Sequence, residues 1–208
     1  MILKLYEDNP SPRLIQLICD TLRKGGIIIY PTDTVYGIGC DIYHQKAVER
    51  IAKIKNVKPE KANFSFIVHD LSSLSEYTKW VTNETFRLMK KSFPGPITFI
   101  LHASSIVPKI LKNKKKTVGL RIPANNIILE IVKELGHPIL TTSLLDNDEI
   151  IEYTTDPELI YENYKDQVDI VIDGGFGGNI PSTIIDCTSE EPIIVREGAG
   201  IDELDIAY

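Results

Sequence analysis

The sequence predicts an α/β protein, a single domain built on one sheet. Three observations predict it. Short apolar runs bounded by Gly and Pro alternate with stretches whose apolar residues recur at helical spacing. No internal repeat, low-complexity tract or linker divides the chain, so residues 1–208 form one unit. The 208 residues, 43% of them apolar, also suffice for one sizeable core.

The elements follow in order. Residues 2–5 read as a short strand. Ser11 and Pro12 are a helix N-cap and a proline at the first helical position, and Leu14, Leu17, Ile18 and Leu22 follow at helical spacing until Gly25-Gly26 stops them. Ile27–Tyr30 is the continuous apolar run of a buried strand. Tyr30 to Gly39 reads as a loop held by Pro and Gly. Residues 44–54 read as a helix, 64–68 as a strand and 82–91 as a helix, and FPGP (93–96) breaks the chain before strand Ile97–Leu101. Thr117–Ile122 is a strand closed by Pro123. Asn125 or Asn126 caps a helix that ends at Gly136, and Pro138–Thr142 returns as a strand. A helix over 156–164, a strand over Val168–Ile172 and extended pieces at 183–186 and 192–195 complete the pattern.

Composition narrows the function classes. The apolar fraction excludes intrinsic disorder, no apolar run approaches the roughly 18 residues of a membrane span, and MILKLYEDNP lacks the pattern of a secretory signal. The expectation is a soluble, cytoplasmic protein. The net charge of −6 hides a split: residues 1–145 hold 21 basic and 12 acidic side chains, and residues 146–208 hold 2 and 17. Such asymmetry marks either a basic face for an anionic ligand or solvated surface. Cys19, Cys40 and Cys187 are too scattered for a disulfide framework, with Cys19 read as a core residue, and the four histidines show no zinc-ligand spacing. A P-loop and a complete dinucleotide fingerprint are both missing from the sequence.

Three stretches place unusual residues at strand ends, where open α/β sheets bind ligands. Pro31-Thr32-Asp33-Thr34-Val35-Tyr36-Gly37 carries hydroxyls that both donate and accept, which suits a zwitterion such as an amino acid, or simply a hydrogen-bonded turn. Lys53, Lys55, Lys58 and Lys61 form a basic segment suited to a polyphosphate, although lysines near a helix C-terminus also offset its dipole. Further on, Lys109 to Arg121 contains no acid. Arg121 lies within a strand and needs an anionic partner there, a substrate carboxylate or a protein acid. The third stretch is Gly174-Gly175-Phe176-Gly177-Gly178 with Pro181-Ser182-Thr183, followed by Arg196, which either pairs with Glu197 or meets a ligand.

Together, GGIIIYPTDTVYGIGCD (25–41), the lysine segment 53–61, FPGPITFIL (93–101), TVGLRIP (117–123), GHPILTTS (136–143) and the pieces VDIVIDGG, PSTIIDCT and PIIVREGAG (168–200) resemble the YrdC-like family, the threonylcarbamoyl-AMP synthases, and most of all its YciO branch. The resemblance implies an open, twisted α/β sheet with a concave basic face. It implies a nucleotidyltransferase reaction in which L-threonine, bicarbonate and ATP, with Mg²⁺ brought by ATP, give threonylcarbamoyl-adenylate and pyrophosphate for tRNA modification. Carried over by position, Thr34, Arg121 and Ser182 would hold L-threonine. Lys53, Lys55, Asn63, Thr117, Ser143 and Arg196 would hold ATP. Positioning and charge stabilisation by Lys53, Lys55 and Arg121 would carry the reaction, without a covalent nucleophile or a protein-built metal site.

Two stretches differ from the synthase pattern. The usual Lys-x-Arg reads Lys53-Ile54-Lys55, and the usual Ser-x-Asn-x-Ser-Gly loop reads Ser143-Leu144-Leu145-Asp146-Asn147-Asp148, with leucine in place of a polar adenylate contact. The resemblance therefore also admits a YciO-type paralogue. Such a protein would bind nucleotide or double-stranded RNA, with Lys109–Lys116 extending the basic surface, or act on a threonylcarbamoyl-bearing substrate without synthase activity. Structured RNA and tRNA-modification proteins are the implied partners.

Overall fold

A computed structural model describes residues 1–59, 62, 64–111, 116–144 and 154–204. In chain order the elements are β1 (Ile2–Lys4), α1 (Pro12–Arg23), β2 (Ile27–Tyr30), β3 (Gly37–Asp41), α2 (Gln45–Ile54), β4 (Ser65–Ile67), α3 (Leu74–Tyr77), α4 (Asn83–Ser92), β5 (Ile97–His102), β6 (Thr117–Arg121), α5 (Asn126–Leu135), β7 (Ile139–Ser143), α6 (Pro157–Tyr164), β8 (Ile170–Asp173), β9 (Thr183–Asp186) and β10 (Ile193–Arg196). Among the described residues the ten strands form one open sheet in the order β1-β8-β2-β3-β7-β4-β6-β5-β9-β10. The sheet is mixed: β1/β8, β2/β8, β4/β6 and β5/β9 run parallel, and the other neighbours run antiparallel.

Strand alternation sorts the core into two layers. Ile27 and Ile29 of β2 join Ile38, Phe66, Phe99, Leu120 and Leu140 on one face, packed by Val48 and Ile51 of α2, Met89 of α4 and Ile160 of α6. Ile28 and Tyr30 point the other way and meet Ile18, Cys19 and Leu22 of α1 and Ile128, Ile131 and Leu135 of α5. The α1/α5 pair covers only part of this second face. Over β4, β6, β5 and β9 the same face is left as a concavity.

Local signals place the helices. Pro12 opens α1 at its first turn, although the Ser11 hydroxyl makes no cap bond. Asn125 caps α5 by accepting from the Ile128 amide, and Gly136 ends it in the left-handed region at φ 83°. Cys19 is fully buried, and burial pushes its thiol up to about 11. The stretch read as a loop from Tyr30 to Gly39 instead enters β3 at Gly37. Its glycines disguise it, since glycine is depleted in strands. The short helix α3 was not expected either. Among the described residues no helix is long and apolar enough to cross a membrane.

Candidate functional site

The concavity encloses about 480 Å³, within the range of small-molecule sites. Strand alternation builds its floor: Thr141 and Ser143 from β7, Ser65 and Ile67 from β4, Arg121 from β6, Thr98 from β5 and Ile184 from β9. Thr32, Val35 and Tyr36 wall it from the β2–β3 connection, Lys55 and Val57 from the end of α2, and Ser182 and Arg196 from the far side. Lys55, Arg121 and Arg196 line it, and no acid does so among the described residues. The site is cationic and rich in hydroxyls.

Arg121 is pinned at the C-terminal end of β6. Its Nη2 donates to Asp33 Oδ1 at 2.5 Å and its Nε to the Gly95 carbonyl at 3.4 Å. Burial pulls the guanidinium below its ordinary range, and the Asp33 carboxylate works against that shift. Of the two partners open to Arg121 from sequence, the protein acid is therefore present, supplied by the loop that also carries Thr32. Arg196 donates from Nε and Nη2 to the Ser182 carbonyl at 3.1 and 2.7 Å, and from Nη2 to Ser182 Oγ at 3.3 Å. Ser182 Oγ also pairs with Thr98 Oγ1 at 3.0 Å. Burial, then the nearby charge of Arg121, lowers the Arg196 pKa. Among the described residues, Nη1 of both arginines has no protein acceptor.

Of the residues singled out from sequence, Lys55, Arg121, Ser143, Ser182 and Arg196 meet at this cavity. Thr34 is buried beside it, its Oγ1 3.1 Å from Thr32 Oγ1, and Thr32 rather than Thr34 lines the wall. Lys53 is exposed in the last turn of α2, away from the lining. Thr117 is buried at the opposite end of β6 from Arg121, paired with His102, and does not line the cavity. Asn63, Lys112, Lys114, Lys115 and the segment Leu145–Asp148 lie outside the described residues. Leu144, at the variable position of that loop, turns its side chain into the core while its amide donates to the Tyr36 carbonyl at 2.9 Å; Leu145, which stands where the synthase pattern has its polar residue, lies outside the described residues. Sequence reasoning marked Thr32 within the hydroxyl-bearing stretch but missed Ser65, Thr98 and Thr141 as lining residues. A period-2 reading of β4 and β7 marks Ser65 and Thr141, because each lies two residues from a buried isoleucine on the same face, Ile67 and Ile139.

Fold and site together define a class: an open mixed-sheet protein with a cationic, hydroxyl-lined cavity. The Sua5/YciO/YrdC family, described by the phrase telomere recombination, matches residues 20–198, and the chain belongs to this family. It is 45% identical over 198 residues to the uncharacterized protein YciO of Escherichia coli strain K12, covering 94% of each chain. The crystal structure of E. coli YciO superposes with a TM-score of 0.88 at 44% identity over 96% of both chains. A threonylcarbamoyl-AMP synthase of Pyrococcus abyssi is 30% identical over 187 residues, 88% of this chain and 54% of that one. The crystal structure of P. abyssi Sua5 complexed with L-threonine superposes with a TM-score of 0.85 at 26% identity, over 99% of this chain and 61% of that one.

Proposed function

We propose that the protein is a threonylcarbamoyl-AMP synthase-like enzyme, which joins L-threonine, bicarbonate and ATP into threonylcarbamoyl-adenylate and releases pyrophosphate. One observation carries this reading. Two guanidinium groups, Arg121 and Arg196, line a single hydroxyl-rich cavity, each held by protein acceptors through Nη2 and each with Nη1 uncommitted among the described residues. That arrangement suits a ligand with separate carboxylate and phosphate charges. The synthase named among the relatives and the L-threonine complex of P. abyssi Sua5 support it.

The chemistry asks the protein for position and charge rather than for a nucleophile. The threonine amine takes up bicarbonate with loss of water to give a carbamate, whose oxygen attacks the α-phosphorus of ATP as pyrophosphate leaves. Arg121 would hold the threonine carboxylate, with Ser182 and the Thr32–Thr34 turn beside it. Arg196, Lys55 and Ser143 would offset charge on the phosphates as it shifts to the leaving group. Mg²⁺ brought by the nucleotide would offset charge on its phosphates. Release of pyrophosphate from ATP that depends on both threonine and bicarbonate tests the reading. Activity is expected to vanish in Arg121→Ala, and wild-type release no greater than that of the variant would overturn it.

A second reading is a YciO-type protein that acts on a threonylcarbamoyl-bearing substrate without an adenylate step. The position of Lys53 favours it, because a second lysine for the phosphates faces solvent instead of the cavity. Calorimetric titration with ATP and with L-threonine separates the two, since only the synthase reading requires both to bind.

A further inference from the structure

The two edges of the sheet are protected differently. An edge strand carries a row of unpaired backbone groups, and charged side chains, lysine above all, are the usual guard against a further strand. At one edge β1 has that guard in Lys4, whose side chain is 65% exposed. At the other, β10 pairs only with β9 among the described residues and has no lysine. Along it Ile193 and Val195 are 58% and 57% exposed. The single charge of the strand, Arg196, is committed to the Ser182 carbonyl. Glutamates flank both ends: Glu190 and Glu191 before the strand and Glu197 after it are exposed. Arg196 is also the only basic residue beyond Lys165, against ten acids. The edge is therefore apolar at its centre and acidic at its ends. A register shift between Ile194 and Arg196 bends the far end of the strand, so an occupant must be short.

We propose that the β10 edge binds a short, extended, basic segment of a partner protein, which adds to the ten-stranded sheet as a further strand. Backbone hydrogen bonds would supply the attachment, and alternate side chains the choice of sequence. The chemistry of the occupant follows from the edge. Antiparallel pairing centred on Ile194 sets two residues of the segment against Ile193 and Val195, which apolar side chains suit. It sets two more against Glu191 and Glu197, which lysine or arginine suits. The pattern is basic-x-apolar-x-apolar-x-basic. A second copy of this chain fits poorly, because the same register would set Glu191 of each copy against Glu197 of the other, and like charges directly opposite are destabilising.

The probes are end-blocked, dye-labelled peptides followed by fluorescence anisotropy: Lys-Thr-Val-Thr-Val-Thr-Lys, its counterpart with Glu for Lys, and the basic peptide with its backbone amides N-methylated. The proteins are wild type, Glu191→Lys/Glu197→Lys and Ile193→Ser/Val195→Ser, each shown to fold by its thermal midpoint. Wild type is expected to bind the basic peptide at least about tenfold more tightly than the acidic one, with the preference narrowing at high salt. Glu191→Lys/Glu197→Lys should reverse the preference, and Ile193→Ser/Val195→Ser should weaken both peptides. N-methylation removes the donors of a strand while keeping its charge, and should abolish binding. Equal binding of the N-methylated peptide would reduce the edge to a charged surface and overturn the strand. No binding of the basic peptide to wild type up to about 1 mM overturns the proposal outright. A wild-type dimer in sedimentation that dissociates in Ile193→Ser/Val195→Ser would make a second copy the occupant instead. Hydrogen exchange that finds every β10 amide protected in the free monomer would mean that the chain covers this edge itself, and would likewise overturn the proposal.

Discussion

Arg121 of β6 and Asp33 of the β2–β3 connection form an ion pair at 2.5 Å between side chains only 10% and 13% exposed. The two residues lie in different parts of the chain, and between β2 and β6 in the sheet stand β3, β7 and β4. Their contact therefore ties the hydroxyl-bearing wall of the cavity to its cationic floor. It also fixes the guanidinium in the cavity lining, with Nη2 taken by Asp33 and Nε by the Gly95 carbonyl.

Removing one member of such a pair leaves a desolvated charge behind. Asp33→Ala is expected to lower unfolding stability by about 3 kcal/mol. Asp33→Asn keeps an acceptor for Nη2 and should cost less. Urea unfolding of both variants checks the order, and equal stability of wild type and Asp33→Ala would mean that the contact contributes nothing in solution. With the carboxylate gone, Arg121 should also hold a ligand carboxylate more tightly, by about fivefold for Asp33→Asn.

A second pair predicts pH dependence. Asp41, at the end of β3, accepts from His137 Nε2 at 2.9 Å and from the Tyr43 amide at 2.9 Å. Burial pushes its carboxyl up, but the hydrogen bonds from His137 and Tyr43 and the charge on His137 and His44 outweigh burial and leave it below its ordinary 3.8. A carboxyl depressed in the folded state contributes stability that is fully present above its unfolded pKa and is lost as pH falls through the folded value. The gap between wild type and Asp41→Asn in urea midpoint should therefore be widest near neutrality and shrink below about pH 4. A gap that stays constant down to pH 2 would show that Asp41 acts through shape rather than charge.

Much of the fold was legible because its signals are local. The apolar runs at Ile27–Tyr30 and Thr117–Ile122, Pro12 at the start of α1 and Gly136 at the end of α5 each act within a few residues of themselves. The glycine-rich β3 was not legible, because the reason for its glycines lies on other strands. Gly39 is placed so that a Cβ would run into the Leu140 carbonyl of β7 and stand 3.1 Å from the Tyr30 ring. The site divides in the same way. Lys55, Arg121, Ser182 and Arg196 stand out as charges or hydroxyls at strand ends. Thr141 and Asp33 take their meaning from Tyr30 and Arg121, hydrogen-bonded partners that only the assembled sheet brings near.

The same crowding makes Gly39 a test of that account. Gly39→Ala adds one methyl group where backbone stands on one side and a buried ring on the other, so overpacking should cost about 1–3 kcal/mol. Gly136→Ala meets no neighbouring atom but takes an L-residue into the left-handed region at φ 83°, and should cost about 1 kcal/mol. Chemical unfolding of the two variants separates steric crowding from backbone strain: the first should also disturb Tyr30 fluorescence, and the second should not.

Arg196 carries the sharpest prediction about the ligand. It spends Nε and Nη2 on the Ser182 carbonyl, and its planar fork still leaves Nη1 for an anion in the cavity. A lysine keeps the charge but has a single nitrogen, which cannot span the same carbonyl and a ligand oxygen with fixed geometry. Arg196→Lys is therefore expected to weaken ATP binding by about tenfold and Arg196→Ala by more, the difference between them measuring charge alone. Because the lysine retains that charge, the salt dependence of ATP affinity should persist in Arg196→Lys and flatten in Arg196→Ala. Titrations at low and high salt distinguish the two contributions. If Arg196→Lys matches wild type in both affinity and salt slope, Arg196 acts as a point charge, and its paired bonds to Ser182 serve the loop rather than the ligand.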